Sequence, residues 1–82
     1  MEQKEFYLRT PDLGDTEKIE LIRWSFIPGD TIHEGDEVIE LVTDKAAFPV
    51  ESPFNGILKE IRVPAGSQVL KGDILGVLEI TE

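Results

Sequence analysis

Among the side chains of this sequence able to do covalent chemistry, Lys45 has the most distinctive setting. It lies in Thr43-Asp44-Lys45-Ala46, between the β-rich run Glu40-Leu41-Val42 and the run Ala46-Ala47-Phe48-Pro49-Val50. The flanking runs read as paired strands, which makes the four residues a hairpin turn. Thr and Asp suit such a turn, because their side-chain oxygens accept a hydrogen bond from a backbone N–H about two residues on. The segment has no glycine, so a type I turn is expected rather than the primed types that need positive φ. Lys45 then points outward on a short, stiff support. An exposed lysine has an ordinary pKa near ~10.4 and is protonated at neutral pH, a state that an adjacent aspartate favours further. Acylation of such a lysine therefore calls for a separate ligase that deprotonates it, supplies an activated acyl group and finds it by position and local shape. Small neighbours at Ala46 and Ala47 leave room for that approach, or else pack beneath the turn.

Other chemistries find less support. His33 is the only histidine and the chain has no cysteine, so neither a zinc site nor a histidine-based triad assembles from it. Asp30, Glu34, Asp36 and Glu37 cluster, but their order does not fit the twelve-residue calcium loop with its closing glutamate. They read as solvated charge, with no metal site expected. Trp24 and Phe26 have strand spacing and read as core.

Elements that would hold Lys45 follow from the punctuation. Pro28-Gly29-Asp30, Gly35-Asp36, Pro49, Pro53, Asn55-Gly56, Pro64, Gly66 and Gly72-Asp73 leave room for short strands and almost none for helices. The chain is expected to be all-β, with seven or eight strands, in which Ile22, Trp24 and Phe26 alternate with Arg23 and Ser25. Pro49 assigns its strand to a sheet edge or makes it irregular. Shifted by 37 residues against itself, the sequence puts Gly29, Gly35 and Asp36 on Gly66, Gly72 and Asp73, and Leu21 and Leu41 on Leu58 and Leu78. Two similar halves packed as a quasi-two-fold sandwich follow, since neither could bury its apolar face alone. Under the same shift Lys45 falls on the final residue, Glu82, so its hairpin has no counterpart in the other half.

Eighty-two residues make one domain, spanning 1–82, too small for an enclosed active site with several supporting layers. A non-catalytic domain is expected. The formal charge of −9 repels phosphate backbones and anionic membranes, which argues against nucleic-acid and membrane partners. No apolar run approaches the roughly eighteen residues that span a bilayer. Met1 to Glu5 lack the features of a secretory or transit peptide, and the absence of cysteine is compatible with a reducing compartment.

Taken together, these segments resemble the lipoyl domain of the acyltransferase component of 2-oxo acid dehydrogenase complexes, a member of the biotinyl/lipoyl carrier family. Pro11-Asp12-Leu13-Gly14 resembles the opening motif, and Pro28-Gly29-Asp30-Thr31-Ile32 and Glu34-Gly35-Asp36 resemble the two turn motifs. Thr43-Asp44-Lys45-Ala46 resembles the attachment motif, and Ser52-Pro53-Phe54-Asn55-Gly56 the turn that follows it. The resemblance implies a flattened barrel-sandwich of two four-stranded sheets, with Gly29, Gly35, Asp36 and Gly56 as turn residues and lipoate joined by an amide to Lys45. It implies modification by a lipoate ligase or lipoyl transferase. It further implies reductive acylation of the arm by a thiamine-diphosphate decarboxylase, transfer to coenzyme A on an acyltransferase, and reoxidation by the flavoprotein dihydrolipoamide dehydrogenase. The loop Gly14-Asp15-Thr16-Glu17-Lys18 corresponds to the one by which partners recognise the domain. A cytoplasmic location is implied, or the mitochondrial matrix in a eukaryote, with the isolated domain a monomer. Val42 departs from the pattern, which usually has an acidic residue there. Biotin carriers share the fold but flank their lysine with methionines, whereas Asp44 and Ala46 flank Lys45. The sequence ends at Glu82 without the Pro/Ala-rich linker that normally follows such domains in a multidomain acyltransferase, so either an excised domain or a free-standing carrier is expected.

Overall fold

The computed structural model describes residues 4–14 and 18–81. Eight strands follow one another: β1 (Lys4–Arg9), β2 (Ile19–Trp24), β3 (Thr31–Ile32), β4 (Glu37–Thr43), β5 (Ala47–Glu51), β6 (Gly56–Ile61), β7 (Ser67–Val69) and β8 (Ile74–Ile80). They form two antiparallel four-stranded sheets, ordered β1-β8-β6-β3 and β5-β4-β2-β7. The all-β sandwich expected from the turn spacing is the observed fold.

The internal repeat is a real symmetry of the backbone. Replacing β1, β8, β6 and β3 by β5, β4, β2 and β7 turns the first sheet order into the second. Bulges obey it too: the β2–β4 register shifts between Leu21 and Arg23, and the β6–β8 register shifts between Leu58 and Glu60, the same positions 37 residues on. At the turns, Asp36 Oδ2 accepts from His33 N–H and Asp73 Oδ2 from Leu70 N–H, both at 2.9 Å. Gly35 and Gly72 supply φ of 91° and 87° in these turns, a region costly for residues bearing a Cβ. Asp30 Oδ2 accepts from Ile27 N–H at 3.0 Å in the same way, so the clustered acids include two that close turns.

The core lies between the sheets and consists of aliphatic residues from both halves, among them Leu8, Leu21, Ile32, Val38, Leu41, Leu58, Leu75 and Leu78. One expectation fails at the β2 bulge. Ile22 is exposed and Leu21 is fully buried, while Trp24 packs against the core. The extra residue at the bulge breaks the period-two alternation, so Leu21 and Trp24 face inward although three positions apart. Phe26 packs against the core as expected. Pro49 sits in β5, the edge strand of its sheet, where its missing N–H leaves no ladder bond unmade.

Symmetry breaks where a large side chain needs room. Trp24 corresponds to Ile61, and its neighbour across the sheet, Ile39, corresponds to Gly76. A bulky ring over a glycine in one place thus matches two isoleucines in the other. Trp24 Nε1–H donates to the Val63 carbonyl at 2.8 Å, which satisfies its polar edge.

Candidate functional site

Thr43 and Ala46 close the turn between β4 and β5. Thr43 N–H donates to the Ala46 carbonyl at 2.9 Å, and the Thr43 hydroxyl oxygen accepts from Lys45 N–H at 3.1 Å and Ala46 N–H at 3.3 Å. The Thr43 hydroxyl lies 3.4 Å from the Ala46 carbonyl oxygen, to which it donates. Thr43 is itself buried and paired with Ile19 of β2, so the turn is fixed from beneath by a side chain anchored in the sheet. No described non-glycine residue has positive φ, which excludes a primed turn here and agrees with the type I expectation. The hydrogen bond expected from a turn side chain to an N–H two residues on is made by Thr43.

Asp44, Lys45, Ala46 and Ala47 are all exposed, so a bulky acyl donor has open approach to the lysine from the turn's outer side. The alanines do not pack beneath the turn; Thr43 occupies that place. Lys45 is thereby positioned by backbone bonds on either side, while its side chain projects from an exposed apex.

The second predicted group of residues falls in the connection from β1 to β2. Gly14 adopts φ of 82° and its N–H donates to Asp12 Oδ1 at 3.0 Å. Asp15, Thr16 and Glu17 lie outside the described residues. Lys18 immediately precedes β2, and its position lines a groove of about 470 Å³ beside the turn together with Ile19, Glu20, Val42, Thr43, Asp44, Gly66 and Gln68. This connection departs from the two-fold in length. Nine positions separate Thr10 from Ile19, but four separate their counterparts Ser52 and Gly56. Its described ends Thr10 and Ile19 sit at the same end of the sandwich as Lys45.

Of the predicted turn glycines, Gly29 and Gly35 have positive φ, of 100° and 91°. Gly56 needs correction: it opens β6, and its φ is not in the left-handed region. Its requirement is space, since a Cβ there would lie 2.2 Å from the Glu79 carbonyl oxygen. His33 is exposed, with Nδ1 3.7 Å from Asp36 Oδ2. Among the groove residues, Glu20 and Gln68 were not singled out from sequence, and Gly66 was marked only as a turn glycine that the 37-residue repeat matches to Gly29.

The profile of a family described as biotin-requiring enzymes, the biotinyl/lipoyl attachment domains, matches residues 7–78. The chain belongs to that family. Its relatives place this biotinyl/lipoyl domain with lipoyl carriers rather than biotin carriers. It is 39% identical over 72 residues to the dihydrolipoyllysine-residue acetyltransferase component of pyruvate dehydrogenase complex from Cupriavidus necator, a match covering 88% of this chain and 13% of that protein. The same component from Staphylococcus aureus is 34% identical over 71 residues, covering 85% and 16%. The domain thus spans about a seventh of the length of these relatives. Among solved structures it is similar to the lipoyl domain of the 2-oxoglutarate dehydrogenase complex from Azotobacter vinelandii. That match has a TM-score of 0.75 and 26% identity, covering 93% of this chain and 95% of that one. A single-chain, multi-domain long-chain acyl-CoA carboxylase also superposes, with a TM-score of 0.78 over 95% of this chain and 7% of that one. At 20% identity this likeness is one of fold.

Proposed function

We propose that Lys45 carries lipoate in amide linkage and that the domain, residues 1–82, moves acyl groups and reducing equivalents between the active sites of a 2-oxo acid dehydrogenase complex. The observation that supports this most directly is the lysine at an exposed apex, held by Thr43 in a domain whose relatives are named for a dihydrolipoyllysine residue. The turn fits such a group: Asp44, Lys45 and Ala46 are open to solvent, and the strands beneath them pair without a break from Val42–Ala47 to Ile39–Val50. Lipoate supplies a dithiolane that accepts two electrons and an acyl group. The protein supplies position. Tethering raises the local concentration of the arm at each partner, and the compact fold restricts access to enzymes that recognise the domain.

On this reading the partners are a lipoate ligase or lipoyl transferase, a thiamine-diphosphate decarboxylase, an acyltransferase and dihydrolipoamide dehydrogenase. Gly14 and Lys18, with Asp15, Thr16 and Glu17 between them in sequence, contribute the surface that partners recognise, and the domain itself catalyses nothing. The bacterial relatives accord with work in the cytoplasm.

Intact mass of the protein made in cells supplied with both lipoate and biotin tests the proposal. One lipoyl-amide increment, abolished by Lys45→Arg, is the expected result. A biotinyl increment, or no increment with function retained in Lys45→Arg, overturns it.

A further inference from the structure

The groove beside the attachment turn is built from the outer face of a sheet. Glu20 of β2 is paired with Val42 of β4 on one side and Gln68 of β7 on the other. Their inward neighbours Ile19, Thr43 and Val69 are buried, so Val42, Glu20 and Gln68 form one outward row across three strands. Asp44, Lys18 and Gly66 also line the groove. Adjacent strands lie about 4.8 Å apart, so the row from Val42 to Gln68 extends roughly 10 Å. A lysine stem with an eight-carbon acyl chain reaches about 14 Å, counting bonds of roughly 1.5 Å along a staggered chain. The arm can therefore leave the apex, fold back over Val42 and lie along the row.

We infer that this groove is a resting place for the domain's own acyl arm, with the dithiolane and its methylenes lying over Val42 between Glu20, Gln68 and Lys18. The inference rests on Lys45 as the attachment point. Three observations support it. The groove's wall includes Thr43 and Asp44, the residues next to Lys45, so the occupant needs no second binding event to find it. Val42 puts an apolar side chain on an outer face whose neighbours in the row are charged or amide-bearing, and the oxidised ring and methylenes are the apolar, uncharged partner it would cover. The stem of Lys18 adds apolar length while its ammonium stays in water. Because attachment keeps the arm at an effective concentration of about millimolar or higher, even a weak contact is populated. The consequence is a carrier whose arm is partly sheltered from stray thiols until a partner draws it out.

Absence of cysteine from the chain makes a test that bypasses the ligase. In Lys45→Cys the single thiolate displaces bromide from N-(2-bromoethyl)lipoamide, giving an arm of lysine length with sulfur in place of Cγ. Amide shifts of the modified and unmodified domain are then compared by NMR. The expected result is a set of changes at Glu20, Val42, Gly66 and Gln68, with nuclear Overhauser contacts from arm methylenes to the Val42 methyls. Both should be lost in the same modified protein bearing Val42→Glu. Changes confined to residues 43–47 overturn the resting place. That outcome is distinct from failure of the attachment proposal, which intact mass alone decides.

Discussion

Gly76 lies directly beneath the indole of Trp24. A Cβ built on Gly76 would stand 2.6 Å from Cη2 of the ring and 2.7 Å from the Glu60 carbonyl oxygen, nearer than such atoms approach one another. The contact explains why a glycine occupies the middle of β8, where a strand ordinarily disfavours it.

Gly76→Ala should therefore destabilise the domain, although Gly to Ala in a strand interior would otherwise gain roughly 0.5–1 kcal/mol. Forcing a methyl into a filled site costs about 1–3 kcal/mol, so a net loss near ~1–2 kcal/mol in urea unfolding is expected. Trp24→Leu removes the ring part of the clash, and the double variant should lose less than the sum of the two singles. Strict additivity would show that the ring is not what excludes the methyl.

Thr43 sets the turn. Thr43→Val keeps shape but removes the acceptor for Lys45 and Ala46 N–H, at roughly 1 kcal/mol for a typical lost hydrogen bond. Amide hydrogen exchange at residues 45 and 46 should quicken at least several-fold, and the initial rate of ligase modification at low domain concentration should fall. Thr43→Ser should restore both. Equal modification rates in the valine and serine variants would mean that the ligase reads the lysine without the turn.

Glu5 of β1 and Lys59 of β6 form an ion pair across β8. The ammonium holds the Glu5 carboxyl below its ordinary value of 4.5, and the carboxylate holds Lys59 above 10.5, first through their hydrogen bond and then through charge attraction. The depressed carboxylate contributes stability above its unfolded value and loses it as pH falls through the folded one. The raised ammonium contributes fully below 10.5 and loses it as pH rises through its folded value. Stability of wild type relative to Glu5→Gln should thus be largest between about pH 5 and 10 and shrink on either side. Both groups are solvent-exposed, so the difference is small and screened by salt. A difference that does not change with pH would mean the pair contributes nothing.

Much of this architecture was legible because glycine and aspartate mark turns by a mechanism that depends on sequence neighbours alone. Gly35-Asp36 and Gly72-Asp73 close identical turns, and their repeat disclosed the two-fold. Lys45 was legible because Thr43-Asp44-Lys45-Ala46 lies between two β-rich runs and Thr43 suits the turn it makes. What escaped depended on distant neighbours. Ile22 was assigned the wrong face because a bulge is a property of strand pairing, and Gly56 was assigned to a turn because its tight approach to Glu79 spans 23 positions. The groove, too, joins strands β2, β4 and β7, and only the register brings Glu20 between Val42 and Gln68.

The pairing of Lys4 with Ile80 has a mechanical meaning. From the apex, β5 leads to Ser52–Asn55 at the far end, where β6 begins beside Ile80 and where Thr81 N–H donates to the Asn55 carbonyl. Both ends of the described chain thus leave the sandwich at one pole, with Lys45 at the other. A polypeptide joined at either terminus would act as a pivot, and the whole sandwich would be the rod. The sweep of the tip would then be set by the length of the rod added to that of the arm.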